Sequence, residues 1–418
     1  MNCSFFPNDG AHVIYLDANA TTALRPEARD AVLRVFSETD PMRNPSSIHA
    51  AGRAARRQLT HARTQLLRLL TLGQSVDADL TFTSGGTEGC NMLVHGLLAP
   101  MLRGGKGHAI ASAIEHPAML EPLKRFSNLE LTLVTTGRDG IIDPETFCAA
   151  LRADTCFVTL MAANNETGAI QPVAAVARLL RSKGFSGPIV SDMSQAVGKS
   201  EISIADLFEA GVTGIALSGH KFGTPSGIGA IALNTGKNAL CFELEPHVVG
   251  GAQELGRRSG TENLAGIAAL GSVAEKLVRA LPEELVRIRG LRELLWEEIA
   301  RVSPETVRLT PVDSAEEIRA LSNTLFIHTP GLRGDDLVVA LDLNGLCASA
   351  GSACSSGKQG VSHVTAALGL ELPQAREVVR LSIDWNETEA GIRAAGEIFG
   401  RVCKTMRSVD GAILGAAA

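Results

Sequence analysis

The chain has 418 residues, of which 45% are hydrophobic and 20% charged, with a formal net charge of −6. That length allows two domains with sizeable cores, and the composition is that of an ordinary globular protein, not a disordered or fibrous one. The acidic balance argues against nucleic acid or an anionic membrane as a partner, and no apolar run reaches the roughly 18 residues that span a bilayer.

The opening stretch, "MNCSFFPNDGAHVIY", lacks the basic start and long apolar core of a signal peptide. Eight cysteines (Cys3, Cys90, Cys148, Cys156, Cys241, Cys347, Cys354, Cys403) are scattered with no Cys-x-x-Cys pair. This opposes a zinc site or a disulfide framework and suits a reducing cytosol, with most thiols acting as small core residues.

The first strand-like run with chemistry attached is "LTFTS" (80–84), which leads into "GGTEGCNMLVHGLL". Gly85-Gly86 turn the chain and Thr87-Glu88 open a helix. Glycines let backbone N–H groups approach an anion, and a helix N-terminus adds partial positive charge. By itself the segment is equally a plain strand–turn–helix join. "HAIAS" (108–112) follows, then "AIEHPAML", in which His116 is either a capping residue or a group over a flat ligand. Further strand-like runs are "LELTLVTT" (129–136) and "CFVTLMAA" (156–163), and "PVAAVARLLRSKG" after Pro172 has helical spacing.

"PIVSDM" (188–193) ends near an acid, Asp192, with Gln195 three residues on. A carboxylate at a strand's carboxyl end sits where open α/β sheets bind ligands, although an N-cap is as good a reading. "MSQAVGKS" (193–200) imitates a phosphate loop, but Met193 stands where the first glycine must be. "GIALSG" (214–219) then delivers Ser218-Gly219-His220-Lys221 among small residues. "GIGAIAL" (227–233) follows with no helix between, so it pairs antiparallel; its G-x-G-x-x-A match lies inside a strand and is set aside. Strands apolar on both faces that alternate with helices predict a mainly parallel sheet covered by helices.

From about Gly271 the texture changes to a long amphipathic helix, "AEKLVRALPEELVRIRGLRELLWEEIARV". After it come "NTLFIHTP", a helix from Gly334, "CASAGSACSSG", a helix near Val364, "EVVRLSI" and a last helix from Glu387. These read as a smaller α+β domain.

Asp192 and Lys221, both at strand ends, suit pyridoxal phosphate, which needs a lysine for its Schiff base, an acid on its ring nitrogen and a phosphate cup. With these residues in view, the chain resembles the cysteine desulfurases of iron–sulfur assembly and nitrogen fixation, in pyridoxal-phosphate fold type I near the class V aminotransferases. The resemblance runs from about Tyr15 to Gly400 and rests on "YLDANATT", "NPSSIHAAGRAA", "FTSGGTEGCN", "EHPAML", "NNETGAIQPV", "SDMSQAVGK", "SGHK", "RRSGTEN", "SAGSACSSG" and "VVRLS". It implies a large α/β domain over 16–270 with a mainly parallel seven-stranded sheet. Residues 1–15 and 271–418 would form the small domain, with a mobile catalytic loop at about 350–362.

By the same resemblance Lys221 is the Schiff-base lysine, Asp192 pairs with the ring nitrogen and His116 stacks on the ring. Gln195 and Asn165 contact the ring hydroxyl and the substrate side. Gly86, Thr87, Ser218 and His220 hold the phosphate. Thr261 reaches the phosphate of the other subunit, which implies a homodimer. Arg380 clamps the substrate α-carboxylate, a task suited to a bidentate guanidinium. Cys354, between Ser and Gly residues, takes sulfur from L-cysteine as a persulfide, alanine leaves, and an iron–sulfur scaffold protein receives the sulfur. No intrinsic metal site is implied, with Cys354 a candidate transient cluster ligand.

Three departures stand out. "GGAQEL" (250–255) lacks the arginine of the family's Gly-Gly-Gly-x-Glu-Arg. Lys358-Gln359-Gly360-Val361 replaces the usual Leu-Glu-Pro stretch, which bears on scaffold docking. Ser382-Ile383-Asp384, followed by Trp385, replaces Ser-Leu-Gly and bears on the carboxylate pocket. A selenocysteine lyase is the nearest rival; an aminotransferase or a non-enzymatic scaffold-binding relative is more remote.

Overall fold

The structure is a computed structural model describing residues 13–37, 42–237, 239–240, 242–351 and 361–416, the last eight of these as helix backbone only. A two-residue strand, β1 (Ile14–Tyr15), leads in. The main sheet comprises β2 (Ala78–Thr83), β3 (Gly107–Ser112), β4 (Leu129–Val134), β5 (Thr155–Thr159), β6 (Ile189–Asp192), β7 (Gly214–Ser218) and β8 (Gly229–Asn234), in the order β2-β8-β7-β6-β5-β3-β4. All the β3, β5, β6 and β7 pairings with one another and with β4 are parallel. β8 runs antiparallel to both β2 and β7, as its place directly after β7 predicts. The seven strand-like runs of the sequence are therefore the seven strands, and the α/β fold stands as expected.

The strand period of two sorts their side chains to opposite faces. Ile215 and Leu217 of β7 join one core with Ile110 and Val158, under the helices Ala50–Leu70 and Leu264–Val302. Ala216, between them, joins Ala109, Ala111 and Phe157 on the other face, under the helix Gly86–Leu102. Both faces are covered, which is why the strands read as unbroken apolar runs. Each fully buried Leu or Ile stabilises the fold by about 1.5–3 kcal/mol relative to an exposed one. At Gly271 the long helix meets Ala62 so closely that a Cβ would lie 2.5 Å from the Ala62 Cα.

That helix crosses the expected domain boundary. Ile267, Leu270, Leu277 and Leu285 pack in the first core, and Ile288, Leu291, Leu295 and Ile299 pack in another with Ile14, Leu16 and Phe399. Over this last core lies a small sheet, β12-β13-β10-β9, made of β9 (Val307–Arg308), β10 (Thr324–His328), β12 (Ser349–Ala350) and β13 (Val378–Ser382). β11 (Leu346–Cys347) pairs with β1. In β13, Val379 and Leu381 enter the core, so the alternation turns Arg380 to the opposite face, toward the main sheet.

Candidate active site

The carboxyl ends of β2, β5, β6 and β7 open onto one cavity of about 420 Å³. Gly86, Thr87, His116, Asn165, Asp192, Gln195, Ser218, His220, Lys221 and Arg380 all line it. The sequence reading thus brought together residues from the main sheet and from β13. Thr261 is exposed and is not among the lining residues. Cys354 lies outside the described residues, as does most of the loop expected at 350–362.

Asp192 closes β6 at 5% exposure, where its Oδ1 accepts from the Ser194 N–H at 2.8 Å. Lys221 follows β7 in a single 3₁₀ turn, and its Nζ donates to the main-chain oxygens of Asn19 (2.7 Å) and Ala20 (2.9 Å). His116 caps the helix Pro117–Lys124 by accepting the Ala118 N–H on Nδ1 at 3.1 Å. The neutral ring therefore carries its proton on Nε2. Burial pushes His116 below the usual histidine range; Asp192 opposes this, and Lys221 and His363 add to it. The capping reading of His116 holds as well, while that of Asp192 does not: a turn follows it, and the next helix, Ile204–Glu209, is capped by Ser203.

The helix Gly86–Leu102 begins at the cavity with no side-chain cap on its N-terminus. Its first N–H groups thus lack the usual side-chain oxygen, and with the Thr87 and Ser218 hydroxyls they form a cradle for an anion. A Cβ at Gly86 would stand 2.7 Å from Ser194 Oγ and 3.2 Å from Ser218 Cβ, so a side chain there would crowd the cradle. His220 is held to about 4 by burial first and by Lys221 and Lys199 after it, which keeps its imidazole neutral. The donor set, the buried acid and the lysine fit a phosphorylated pyridine aldehyde.

Arg380 is 2% exposed; one nitrogen donates to the Asn165 carbonyl (2.9 Å) and another to Asp17 Oδ1 (2.5 Å). Its Nε is buried without a hydrogen-bond partner in the protein. The turn presenting Asn165 is built by Asn164, whose Oδ1 accepts from the Glu166 and Thr167 N–H groups, each at 2.9 Å.

Of the three departures, Lys358-Gln359-Gly360-Val361 falls almost wholly outside the described residues, and the other two stand away from the cavity wall. Asp384 accepts from the Ala23 N–H (2.6 Å) and Trp385 Nε1 donates to the Ala23 carbonyl (2.9 Å), pinning the loop whose Asn19 and Ala20 carbonyls meet Lys221. Neither residue lines the cavity. Leu255, where the arginine was expected, is 76% exposed, while Glu254 turns inward to Arg63 and the Phe82 N–H.

The sequence reading missed two buried acids beside the site, Glu115 and Glu166, although both stand inside quoted motifs, "EHPAML" and "NNETG". Burial raises Glu115 to about 8 and Glu166 to about 7. Glu115 Oε1 accepts from Ser112 Oγ (2.7 Å) and the Met161 N–H (2.6 Å), while Oε2 has no partner. Because the folded state holds a proton that an unfolded Glu, near 4.5, releases, stability falls as pH rises from about 4.5 to 8. Glu115→Gln mimics the protonated form and removes this contribution. Denaturant titrations are expected to show the variant gaining on wild type by up to about 1.4 kcal/mol per pH unit across that window. A difference independent of pH would mean that Glu115 is ionised in the fold.

The chain matches the family described as Aminotransferase class-V over residues 14–394. It is 36% identical over 403 residues to a cysteine desulfurase of Cereibacter sphaeroides, covering 95% of this chain and 97% of that one. It is 32% identical over 399 residues to the cysteine desulfurase IscS of Dictyoglomus turgidum, covering 95% and 96%. Among solved structures, a NifS-like protein superposes with a TM-score of 0.82 at 28% identity, covering 94% of this chain and all of that one.

Proposed function

The chain belongs to the class-V aminotransferase family as a pyridoxal-phosphate-dependent cysteine desulfurase, and from that premise we propose that it passes the sulfur of L-cysteine through a persulfide on Cys354 to an iron–sulfur scaffold protein. The observation that carries this reading is the convergence of Lys221, Asp192 and His116 on one cavity beside an uncapped helix N-terminus.

Bound there, pyridoxal phosphate supplies an aldehyde for the substrate amine and a ring that accepts the electrons left when the α-proton goes. Gly86, Thr87, Ser218 and His220 hold its phosphate, with His220 neutral so that it can donate. The Asp192 carboxylate keeps the ring nitrogen protonated. Arg380, on the cavity wall, takes the substrate carboxylate. Lys221 Nζ removes the α-proton, and the Asn19 and Ala20 carbonyls hold the resulting ammonium. His116, with its proton on Nε2, stands by as an acid for the departing fragment.

The Cys354 thiolate attacks the sulfur of the substrate. An S–S bond forms, the substrate Cβ–S bond breaks, and its electron pair stays with the three-carbon fragment, which takes up protons and leaves as L-alanine. The protein works as a homodimer, in which Thr261, exposed and away from the cavity of its own chain, serves the cavity of a second copy.

The test is mass spectrometry of the Cys354 peptide after brief exposure to L-cysteine without reductant. One added sulfur, with alanine released, is the expected result. A cofactor-loaded protein whose Cys354 stays unmodified would sink the persulfide route and turn attention to selenocysteine and keto-acid substrates.

A further inference from the structure

A second lysine, Lys199, lies close behind Lys221, and none of the steps above uses it. It ends the Gly198-Lys199 run that imitates a phosphate loop. Gly198 sits at φ 74, where a Cβ would come within 2.8 Å of the Phe222 Cβ, so glycine is required there. Lys199 is 6% exposed, and its Nζ donates to Gln195 Oε1 at 2.7 Å and Asn19 Oδ1 at 3.0 Å.

The orientations of both amides follow from their other partners. Asn19 Nδ2 faces the Asn165 carbonyl at 3.2 Å, and Gln195 Nε2 faces the Asn19 carbonyl at 3.0 Å. A carbonyl cannot donate, so these must be the N–H sides, and both side-chain oxygens must turn to Lys199. Burial, with Lys221 adding to it, pushes Lys199 well below the ordinary lysine range. A neutral amine still carries two N–H groups, enough for the two oxygens it meets. The second hydrogen on Gln195 Nε2 is left for the cavity that Gln195 lines.

We propose that Lys199 is a positioning residue that holds the Gln195 amide with its N–H side toward the cavity, where it donates to an oxygen of the cofactor ring. The inference rests on the pyridoxal-phosphate reading above. Without the amine, Gln195 Oε1 becomes a buried acceptor with no donor, and the amide gains by swinging away from the cavity. The structural reason for Lys199 is then the orientation of a neighbour, not contact with any ligand.

The test is a double-mutant cycle on the dissociation constant of pyridoxal phosphate, for wild type, Lys199→Met, Gln195→Ala and the double variant. Lys199→Met is expected to weaken binding about tenfold in the wild-type background and less than about twofold beside Gln195→Ala. Equal losses in both backgrounds, or no loss in either, would overturn the proposal. Circular dichroism reports whether Lys199→Met folds. If it does not, Gln195→Glu carries the test, because it keeps an acceptor for Lys199 while removing the N–H. About tenfold weaker binding is then expected, and wild-type affinity would overturn the proposal. Wild type is measured first: if it binds no pyridoxal phosphate, the functional reading falls and the inference with it, whereas additive losses in a protein that binds well sink the inference alone.

Discussion

Lys221→Ala is expected to lower alanine release from L-cysteine by about 10⁴-fold, the upper range for loss of a general base, while leaving the fold and the capacity to bind pyridoxal phosphate. The substitution removes the amine that takes the α-proton. It disturbs little else, because the Asn19 carbonyl keeps its hydrogen bond from Gln195 Nε2 and the phosphate cradle lies on other elements. The check is twofold. Alanine is quantified by turnover, and exchange of the substrate α-hydrogen with deuterated solvent is followed by mass. Both are expected to fall together, and a small amine such as methylamine is expected to restore part of the exchange by entering the space vacated. A variant that exchanges the α-hydrogen at the wild-type rate would remove Lys221 from the proton-transfer step.

For Cys354→Ala the two readouts are expected to separate. Alanine release falls by at least about 10³-fold, the scale seen when a nucleophile is lost, because no thiolate attacks the substrate sulfur. Exchange of the α-hydrogen continues, since Lys221, Asp192 and Arg380 are untouched. The pair of variants thus dissects the reaction: Lys221→Ala loses both signals, Cys354→Ala only alanine release. Persistent alanine release from Cys354→Ala would mean that sulfur leaves by simple elimination or that another thiol acts. Among the described cysteines, Cys90, Cys148 and Cys403 are buried and burial raises each of them, so none is a ready substitute.

The seven strands of the main sheet were legible because each is a short apolar run bounded by turn residues, and β8 was legible as antiparallel because no helix separates it from β7. Asp192 and Lys221 were legible for a related reason: they stand at or just past the carboxyl ends of such runs, where open α/β sheets bind ligands, whereas His116 took its role from the family resemblance. Glu115 and Glu166 were not, although both were in view. Nothing local distinguishes a solvated glutamate from one sealed behind a sheet, and their raised values come from burial that only packing creates.

Asn19 shows the same limit at longer range. Its carbonyl meets Lys221 and Gln195, its amide meets Lys199 and Thr324, and its N–H meets Ser382 Oγ at 2.9 Å, a residue 363 positions away. Arg380 likewise reaches the cavity only because β13 lays one face on the small-domain core and leaves the other toward Asp17 and Asn165. The sequence by itself determined the strand–helix alternation, the parallel sheet and the residues at its open edge, since periodicity and turn chemistry are local and written in neighbours. The tertiary structure alone decided which acids burial raises, which lysine meets two main-chain carbonyls and which holds a glutamine, and how Arg380 joins them. Desolvation and hydrogen-bond pairing belong to groups brought together from distant parts of the chain, and no local pattern records them.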